Sequence, residues 1–466
     1  MKITDITRNL AAGAMLIALA AGVSSCHIYK KYETPANTAI TRAYTEARDS
    51  LSQNPDSTQL GNLLWEDVFT DPVLADLIQR ALANNTDLAN ARLNVDLART
   101  QLKGARLAYL PSLALAPTGG KAWMAGQSAG WTYNIPAQLS WEIDIFGKLL
   151  NSKRGAQVAV ERSEAYAQAA RSQIICAVAT AYYSISAVEA QLALSRNTAR
   201  LWAQSIQTMR DLKEAGRLTE AAVVQSDANY QSVLANIPAL ENSRAQLDNT
   251  MSLLLNVMPQ HFDISPDAIL SVPKAVSAGV PLSWLAMRPD VYAAERGLAA
   301  AYYSTNSARA AFYPALTLSF SGGFTNQLGT LVKNPGEWFY NIAGSLVAPL
   351  FSRGQNIANL EAAKINQRIA MNTFERTVLN AAGEVSNAMT AYTKSTERIK
   401  FLDTQVDDLQ KSVEYTNDLL IYSNGTYLEV LTAQQSLLAA QMNRISCDLD
   451  RAQAVISLYQ AVGGGR

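Results

Sequence analysis

Apolar and polar residues alternate strictly along one stretch of the first half of the chain. Every odd-numbered residue from Trp131 to Ile145 is apolar, whereas the even-numbered residues between them are polar, apart from Pro136. Residues 338–350 repeat the alternation more loosely, and a shorter alternating run precedes each stretch. Side chains of a strand point alternately to its two faces, and these runs exceed the typical strand of about 5–6 residues. We therefore predict four strands, at about 112–119, 131–146, 315–324 and 338–351.

Long segments without proline predict long helices. No proline occurs between Pro136 and Pro238, and none occurs after Pro349. Both regions are rich in residues of high helix propensity, such as Ala, Leu, Gln, Glu and Arg. Turns at 216–219 and 423–426 would fold the helices into two antiparallel hairpins, and each of the two longest helices would extend roughly 100 Å at 1.5 Å per residue. The predicted helices lie at about 149–213, 219–258, 355–422 and 426–462.

The chain contains an internal duplication. Residues 86–111 match residues 289–314 at an offset of 203 positions, and shorter matches follow in the same order at offsets of 205 and 207. Two small insertions in loops would produce this increase in the offset. A single matching block could arise by chance, but three in the same order indicate two structural repeats. We expect the first repeat at 63–262 and the second at 281–462.

The first residues have the features of a bacterial lipoprotein signal. The apolar run Leu10–Gly22 is too short to cross a bilayer. It leads to small residues directly before Cys26, a pattern that resembles a lipobox. We expect residues 1–25 to be a lipoprotein signal peptide, Cys26 to carry the lipid, and residues 26–62 to form a lipid-anchored N-terminal segment. The alternatives are an ordinary signal peptide followed by a chance cysteine, or a buried apolar helix.

The composition excludes several classes of function. The 466 residues carry 39 basic and 39 acidic side chains, so no basic surface for nucleic acid is expected. Two histidines and three cysteines leave almost nothing for a zinc site or a Cys/His catalytic pair. We therefore expect no enzyme, no metal site and no cofactor. For Cys176 and Cys447, which lie in predicted helices of opposite halves, burial as small apolar side chains is favoured over a disulfide.

The alternating strands suit a bilayer better than an ordinary sheet. A membrane strand needs about 9–11 residues, an apolar outer face and aromatic residues near its ends. Trp131, Trp141 and Trp338 lie at or near the ends of the predicted strands. Four strands cannot close a barrel, because about eight are needed. Two protomers would supply roughly eight strands, whose interior side chains fill, whereas three would supply about twelve around a water-filled lumen.

The predicted fold class is therefore mainly α with membrane β. Each protomer would contribute four long periplasmic helices in two hairpins and four β-strands, and the assembly would be a trimeric 12-strand barrel on a 12-helix tunnel. Two alternatives stay open. The sheet could simply pack against helices, or the helices could form a long solvated coiled coil without a channel.

Six short motifs along the chain carry a resemblance to a known family. They are Asp71–Leu74, Asn85–Leu88, Arg106–Pro111, Trp141–Lys148, Arg288–Val291 and Tyr427–Leu431. Together they resemble the motifs of the TolC-like outer-membrane factors, in the outer-membrane efflux lipoprotein (NodT-type) branch. The resemblance covers essentially the whole chain after Cys26 and implies a homotrimer in the bacterial outer membrane with a tunnel in the periplasm. It further implies docking to a periplasmic membrane-fusion adaptor and an inner-membrane pump of the resistance-nodulation-division type, with drugs, toxic compounds or metal ions as cargo.

The resemblance also implies a periplasmic aperture just after the second hairpin turn. Acidic residues ring this aperture in the family, and polar bonds between the hairpins keep it closed. Glu429 occupies the first acidic position, but Thr432 stands at the second. Gly425 replaces the partner basic residue, and the counterparts in the first repeat are Ala221 and Ala222. The closing bonds of the family are therefore largely missing here.

Two of these motifs also have a purely structural interpretation. Thr426 and Glu429 have the spacing of a capping box, so Glu429 could serve only the start of its helix. Pro289 and Asp290 are favourable at the first positions of a helix, which explains the Arg288–Val291 motif without a functional site.

The function predicted from these observations is passive export through the outer membrane. The alternatives are a type I-like protein secretion conduit and a periplasmic coiled-coil spacer, although a spacer would have no use for long amphipathic strands. The sequence does not name the cargo, because a partner pump would select it.

Overall fold

The computed structural model describes residues 29–53, 64–121, 123–124, 127–128, 130–271, 285–286, 288–328, 331–422 and 426–465. The expected signal peptide, Cys26 and Gly425 lie outside these residues. The first half of the chain contains α1 (Ala39–Gln53), α2 (Trp65–Val68), α3 (Pro72–Asn84), α4 (Thr86–Leu107), β1 (Ser112–Leu115), β2 (Thr118–Gly120), β3 (Trp123–Met124), β4 (Gln127–Ser128), β5 (Thr132–Ile143), α5 (Lys148–Glu214) and α6 (Glu220–Leu255). The second half contains a short 3₁₀ helix (Pro266–Ser271), α7 (Pro289–Ala310), β6 (Ala315–Leu328), β7 (Leu331–Val347), α8 (Gln355–Tyr422) and α9 (Tyr427–Ala461).

The long helices confirm the predicted fold class. Helix α5 has 67 residues and α8 has 68, so each extends roughly 100 Å at 1.5 Å per residue. Each is followed along the chain by a second long helix, α6 or α9. No helix in the described parts of the chain combines the length and the apolar character needed to cross a membrane.

Strands β1, β2, β5, β6 and β7 form one antiparallel sheet. Its order is β1–β5–β6–β7, and β2 also pairs with β5 beyond the end of β1. The strand expected at about 112–119 is thus two short strands that lie end to end along β5. Pro117 lies at the break, and a proline has no backbone N–H to donate to a neighbouring strand.

The hairpin of β6 and β7 is longer than the alternation of the sequence predicts. Strand β7 begins at Leu331 rather than at about 338, because backbone pairing continues past an irregularity between Thr325 and Gln327. The residues at the start of β7 include Lys333 and Pro335, which hide the alternation, although the backbone of this segment remains extended.

The chain divides into two compact units, and each unit contains segments from both halves. The first unit comprises the described residues within 1–35, 94–163 and 293–375, and it holds the sheet. One of its helical cores is formed by Val158, Ala299 and Tyr303.

The second unit comprises the described residues within 36–93, 164–292 and 376–466. Its core contains several large aromatic side chains that are almost completely buried, among them Trp65, Phe69, Tyr182, Tyr183 and Tyr459. The rings of Phe69 and Tyr459 meet edge to face at 5.6 Å.

Helix α3 shows how the sequence sets one boundary of the second unit. The Asp71 carboxylate accepts hydrogen bonds from the backbone N–H groups of Val73 and Leu74, at 2.9 and 3.3 Å, and Pro72 is the first helical residue. The other carboxylate oxygen of Asp71 accepts the Tyr182 hydroxyl at 2.8 Å. The capping residue thereby also fastens α3 to α5.

Both cysteines of the second unit are free and buried, which confirms the prediction made for them. Cys176 is 4% exposed and Cys447 is inaccessible. Burial raises the pKa of the Cys176 thiol to about 12, so this side chain stays neutral and unreactive as part of the core.

Candidate functional site

The sheet presents an uncovered apolar face. In β7 the alternate residues Trp338, Tyr340 and Ile342 are 82%, 80% and 75% exposed. In β6 the even-numbered residues Leu318 and Phe320 are also exposed. A face of this size, rich in aromatic residues, requires lipid or another protein to cover it.

The opposite face of the same sheet is polar. Three side chains of β6, Thr317, Ser319 and Ser321, stand opposite polar residues of β5 at Glu142, Ser140 and Gln138. On the other side of β6, Thr317 and Ser321 pair with Ser345 and Asn341 of β7. This row of hydroxyl, amide and carboxylate groups is suited to contact with water. The apolar face is suited to contact with lipid or another protein.

The sheet also has two open edges. Strands β1, β2 and β7 each pair on one side only within the described part of the sheet. Unpaired backbone N–H and C=O groups are costly in hydrocarbon. A sheet that exposes an apolar face and two open edges needs further strands beside it.

The Trp141–Lys148 motif forms the turn from β5 into α5. The Trp141 indole N–H donates to the carbonyl oxygen of Tyr109 at 2.9 Å. The Asp144 carboxylate accepts the backbone N–H of Leu150 at 2.6 Å, which satisfies one free donor at the start of α5. Lys148 pairs with Glu142 at 2.9 Å. The residues that carry the family resemblance thus fix the base of the sheet.

At the second hairpin turn, both predicted aperture residues have local partners. The backbone N–H of Thr426 donates to the Glu429 carboxylate at 3.4 Å, which is the carboxylate half of a capping box. The Thr432 hydroxyl donates to the carbonyl oxygen of Leu428 at 2.7 Å, one turn earlier in the same helix. Glu429 is exposed, so its charge also faces solvent.

At the first hairpin turn, the two predicted counterparts differ. Ala222 is completely buried, whereas Ala221 is exposed. Neither side chain can form a polar bond, because both residues are alanine. Lys213 and Glu220 form an ion pair across this turn.

The sequence did not predict the polar bond between the first hairpin turn and the end of α8. The guanidinium of Arg217, in the first turn, donates to the carbonyl oxygen of Ile421 at the end of α8, at 3.2 Å. Carbonyl groups in the last turn of a helix have no helical partner and carry partial negative charge. In the sequence, the position of Arg217 next to the turn residue Gly216 was the only indication of this contact. That position does not show which backbone carbonyl accepts the bond.

Arg288 is a second residue with contacts that the sequence did not predict. Its side chain is 6% exposed and contacts Asp290 at 2.7 Å, Glu384 at 2.6 Å and the carbonyl oxygen of Ala461 at 2.9 Å. Burial lowers the pKa of this guanidinium, but Asp290 and Glu384 more than reverse that effect, so the pKa is raised. Arg288 therefore ties the start of α7 to both α8 and α9.

The Arg288 cluster lies at one end of a groove of about 810 Å³ in the second unit. Small side chains such as Ala388, Ala391 and Ala454 alternate there with charged ones, including Lys394 and Asp450. A groove with small residues allows close approach of a further helix, and the mixed charges give it a polar lining.

Comparison with known proteins identifies the family. The family described as "Outer membrane efflux protein" matches residues 77–257 and 280–464. The chain is 28% identical to the "Cation efflux system protein CusC" of Escherichia coli O6:H1, over 96% of this chain and 97% of that protein. It is also 28% identical to the "Probable outer membrane lipoprotein SilC" of Salmonella typhimurium, over 97% of both chains.

Two solved structures have the same fold as this chain. A crystal structure of CusC superimposes with a TM-score of 0.82 at 26% identity, covering 94% of this chain and 100% of the other. The open state of the Neisseria gonorrhoeae MtrE outer membrane channel superimposes with a TM-score of 0.78 at 29% identity, covering 88% and 93% of the two chains.

Proposed function

Because the chain belongs to the Outer membrane efflux protein family and is an outer-membrane efflux channel, we propose that it is the passive outer duct of a tripartite system. In this system a periplasmic membrane-fusion adaptor and an inner-membrane pump, of the resistance-nodulation-division type, deliver small molecules to the duct. The cargo class comprises drugs, toxic compounds or metal ions. The similarity to CusC, which is named as a cation efflux protein, supports the last of these.

The amphipathic sheet with two open edges carries this proposal. Three copies of the β1/β2–β5–β6–β7 sheet, joined edge to edge, would give about twelve strands, enough to enclose a water-filled lumen. The exposed Trp338, Tyr340 and Ile342 would then face lipid, and the row that contains Ser319 and Ser321 would face the lumen. The hairpins of α5–α6 and α8–α9 would continue the passage through the periplasm.

We propose that the hairpin turns form the periplasmic mouth of the duct. The contact of Arg217 with Ile421 supports this, because it holds the first turn against the end of α8. The exposed carboxylate of Glu429 supplies negative charge at the mouth, and Thr432 lies one turn further along the same helix.

We also propose that Cys26 carries the lipid anchor and that the chain is built from two tandem repeats, 63–262 and 281–462. The name of SilC, an outer membrane lipoprotein, supports the anchor. The helix lengths support the repeats: α4, α5 and α6 have 22, 67 and 36 residues, and α7, α8 and α9 have 22, 68 and 35.

A matched pair of substitutions in β6 tests the duct. The full-length protein, expressed with its own signal, would be extracted in detergent, analysed by native mass spectrometry and reconstituted in planar bilayers. Phe320→Arg places a charge on the lipid face, at a cost of about 2–4 kcal/mol at the bilayer centre, and should abolish insertion. Ser321→Arg, on the neighbouring residue, should leave the trimer intact and lower the single-channel cation conductance.

Two results would contradict this proposal. One is a stable monomer that stays soluble once its lipid is removed, which favours the spacer. The other is equal behaviour of the two variants, which would show that the faces of β6 do not separate lipid from lumen.

A further inference from the structure

A cavity of about 280 Å³ lies at the base of the sheet within the first unit. It lies between the β5–α5 turn, the α7–β6 turn and the end of β7, and we call it the basal pocket. All of these segments belong to the first unit, so one chain supplies the whole lining. A duct that only lets cargo pass does not require such a cavity. The lining residues are 142–146, 148, 310–311, 313–315, 347 and 349.

Three of the strand residues that line the basal pocket lie on the polar face of the sheet. Ala315 of β6 pairs with Val347 of β7. Each lies two residues from a member of the polar row, Thr317 or Ser345, and successive side chains of a strand alternate between its faces. Glu142 of β5 belongs to the same row. In the duct proposed above this face lines the lumen, so cargo in the lumen would meet the pocket at the base of the barrel.

Two aromatic rings form a wall of the basal pocket. The rings of Phe146 and Tyr313 are stacked, with centroids 4.9 Å apart and planes inclined by 13°. One face of each ring is therefore covered by the other ring. Tyr313 nevertheless remains 44% exposed, so part of its ring is accessible to a ligand. Because the face of an aromatic ring attracts a cation within about 6 Å of the ring centre, this wall suits a positively charged ligand.

The charged residues of the lining carry an excess of one negative charge. They are Glu142, Asp144 and Lys148. Lys148 pairs with Glu142 at 2.9 Å, which leaves the carboxylate of Asp144. One oxygen of this carboxylate, Oδ2, accepts the backbone N–H of Leu150 at 2.6 Å. The second oxygen, Oδ1, remains able to pair with a cation.

We propose that the basal pocket binds small organic cations, an inference that rests on the duct proposed above. The ligand class is a protonated or quaternary amine that carries one ring or a short apolar body. The ammonium group would pair with Asp144 and lie against the aromatic wall of Phe146 and Tyr313. The volume lies just below the roughly 300–1,000 Å³ that is typical of ligand pockets, which limits the site to a molecule of about one ring. A hydrated metal ion would make no use of the aromatic wall, so the pocket favours the organic members of the cargo class.

Benzyltrimethylammonium is a suitable probe, because it combines one aromatic ring with a permanent positive charge. Saturation-transfer NMR measures its binding to the full-length protein, expressed with its own signal and extracted in detergent. Planar bilayers measure whether the same probe lowers the single-channel conductance. We expect the probe to bind and to lower the conductance. Benzenesulfonate, which has the same ring and the opposite charge, should bind at least about ten-fold more weakly.

The internal repeat supplies a matched pair of variants. Phe351 stands in the second repeat where Phe146 stands in the first, at the offset of 205, but Phe351 is 87% exposed and lies outside the pocket lining. Phe146→Leu removes the aromatic face and keeps an apolar side chain. The dissociation constant of the probe should therefore rise about two- to five-fold. Phe351→Leu should leave the dissociation constant unchanged.

A third variant tests the charge of the pocket. Asp144→Asn keeps a side-chain oxygen for the backbone N–H of Leu150 and removes the negative charge. The dissociation constant of benzyltrimethylammonium should rise about two- to five-fold, whereas the weak binding of benzenesulfonate should not weaken further.

Four results would contradict the inference. Equal binding of the probe to Phe146→Leu and Phe351→Leu would show that the aromatic wall is not the binding site. Equal binding of benzyltrimethylammonium and benzenesulfonate would show that the site does not select cations, and this comparison uses the unaltered protein, so it does not depend on the folding of a variant. A conducting channel that neither binds the probe nor is blocked by it would remove the site and leave the duct standing. Binding to a protein that forms no conducting channel would instead contradict the duct, and with it the position of the pocket in a lumen.

Discussion

The guanidinium of Arg217 donates a hydrogen bond to the backbone carbonyl of Ile421 at 3.2 Å. The bond connects the turn between α5 and α6 to the end of α8. The acceptor is a backbone carbonyl, so this bond requires no acidic side chain.

Loss of this bond should favour the open mouth. An exposed bond from a charged donor contributes roughly 0.5–1 kcal/mol, so Arg217→Ala should raise the ratio of open to closed channels about two- to five-fold. Single-channel recording in planar bilayers measures this ratio. Arg210→Ala, at an exposed arginine near the end of α5, is the control and should behave as wild type. Identical open probabilities for Arg217→Ala and wild type would show that the bond does not restrain the mouth.

The charge of Glu429 should be separable from its role at the helix start. Glutamine can replace glutamate in a capping box, so Glu429→Gln preserves the cap and removes the charge. If the carboxylate acts on ions in the mouth, Glu429→Gln and Glu429→Ala should change the single-channel conductance and lower cation selectivity to the same degree. Reversal potentials in asymmetric salt measure the selectivity. A change in Glu429→Ala alone would assign the residue to capping, with an expected loss of about 1 kcal/mol of helix stability.

The sequence predicts those features that depend on periodicity. The strict alternation from Trp131 to Ile145 and the absence of proline after Pro349 were enough to predict long strands, long helices and two hairpins. The confirmed fold class follows from these patterns, because side-chain periods of 2.0 and 3.6 residues are local properties of the chain.

Features that depend on partners distant in the sequence could not be predicted in the same way. Arg288 was explained by the helix start beside it, yet its guanidinium also bonds to Glu384 and to the carbonyl of Ala461. The acceptor for Arg217 is a backbone carbonyl, which every residue has, so no residue type marks it. The early start of β7 is set by pairing with β6 rather than by its own composition.

Gly323 should be essential for the sheet. It pairs with Pro136, and a Cβ at Gly323 would lie only 2.7 Å from the Pro136 Cα and still nearer to the Ile135 carbonyl. Because backbone atoms cannot move aside, Gly323→Ala should cost at least about 3 kcal/mol and abolish the detergent-stable trimer on native gels. Gly344→Ala, where the nearest atom is the Leu318 side chain at 3.5 Å, should be tolerated. An intact Gly323→Ala trimer would show that β5 and β6 do not approach this closely.

The core of the second unit should lose stability in alkaline solution. Burial raises the pKa of Tyr459 from about 10 to about 12, and it has the same effect on Tyr183. The folded protein therefore keeps these protons at pH values where the unfolded chain has lost them. The stabilisation is fully present below pH 10 and declines as the pH rises to about 12, with a slope of up to about 1.4 kcal/mol per pH unit for each tyrosine.

Thermal unfolding of the detergent-extracted protein between pH 8 and pH 12 measures this decline. Tyr459→Phe removes one ionising group and should make the decline shallower. Below pH 10 it should unfold at a lower temperature than wild type, because the hydroxyl that accepts the Gly465 N–H at 2.7 Å is lost. Tyr422→Phe is the control, since this tyrosine is 83% exposed, and it should follow the wild-type profile. If Tyr459→Phe and wild type decline in parallel, ionisation of Tyr459 does not limit stability in this range.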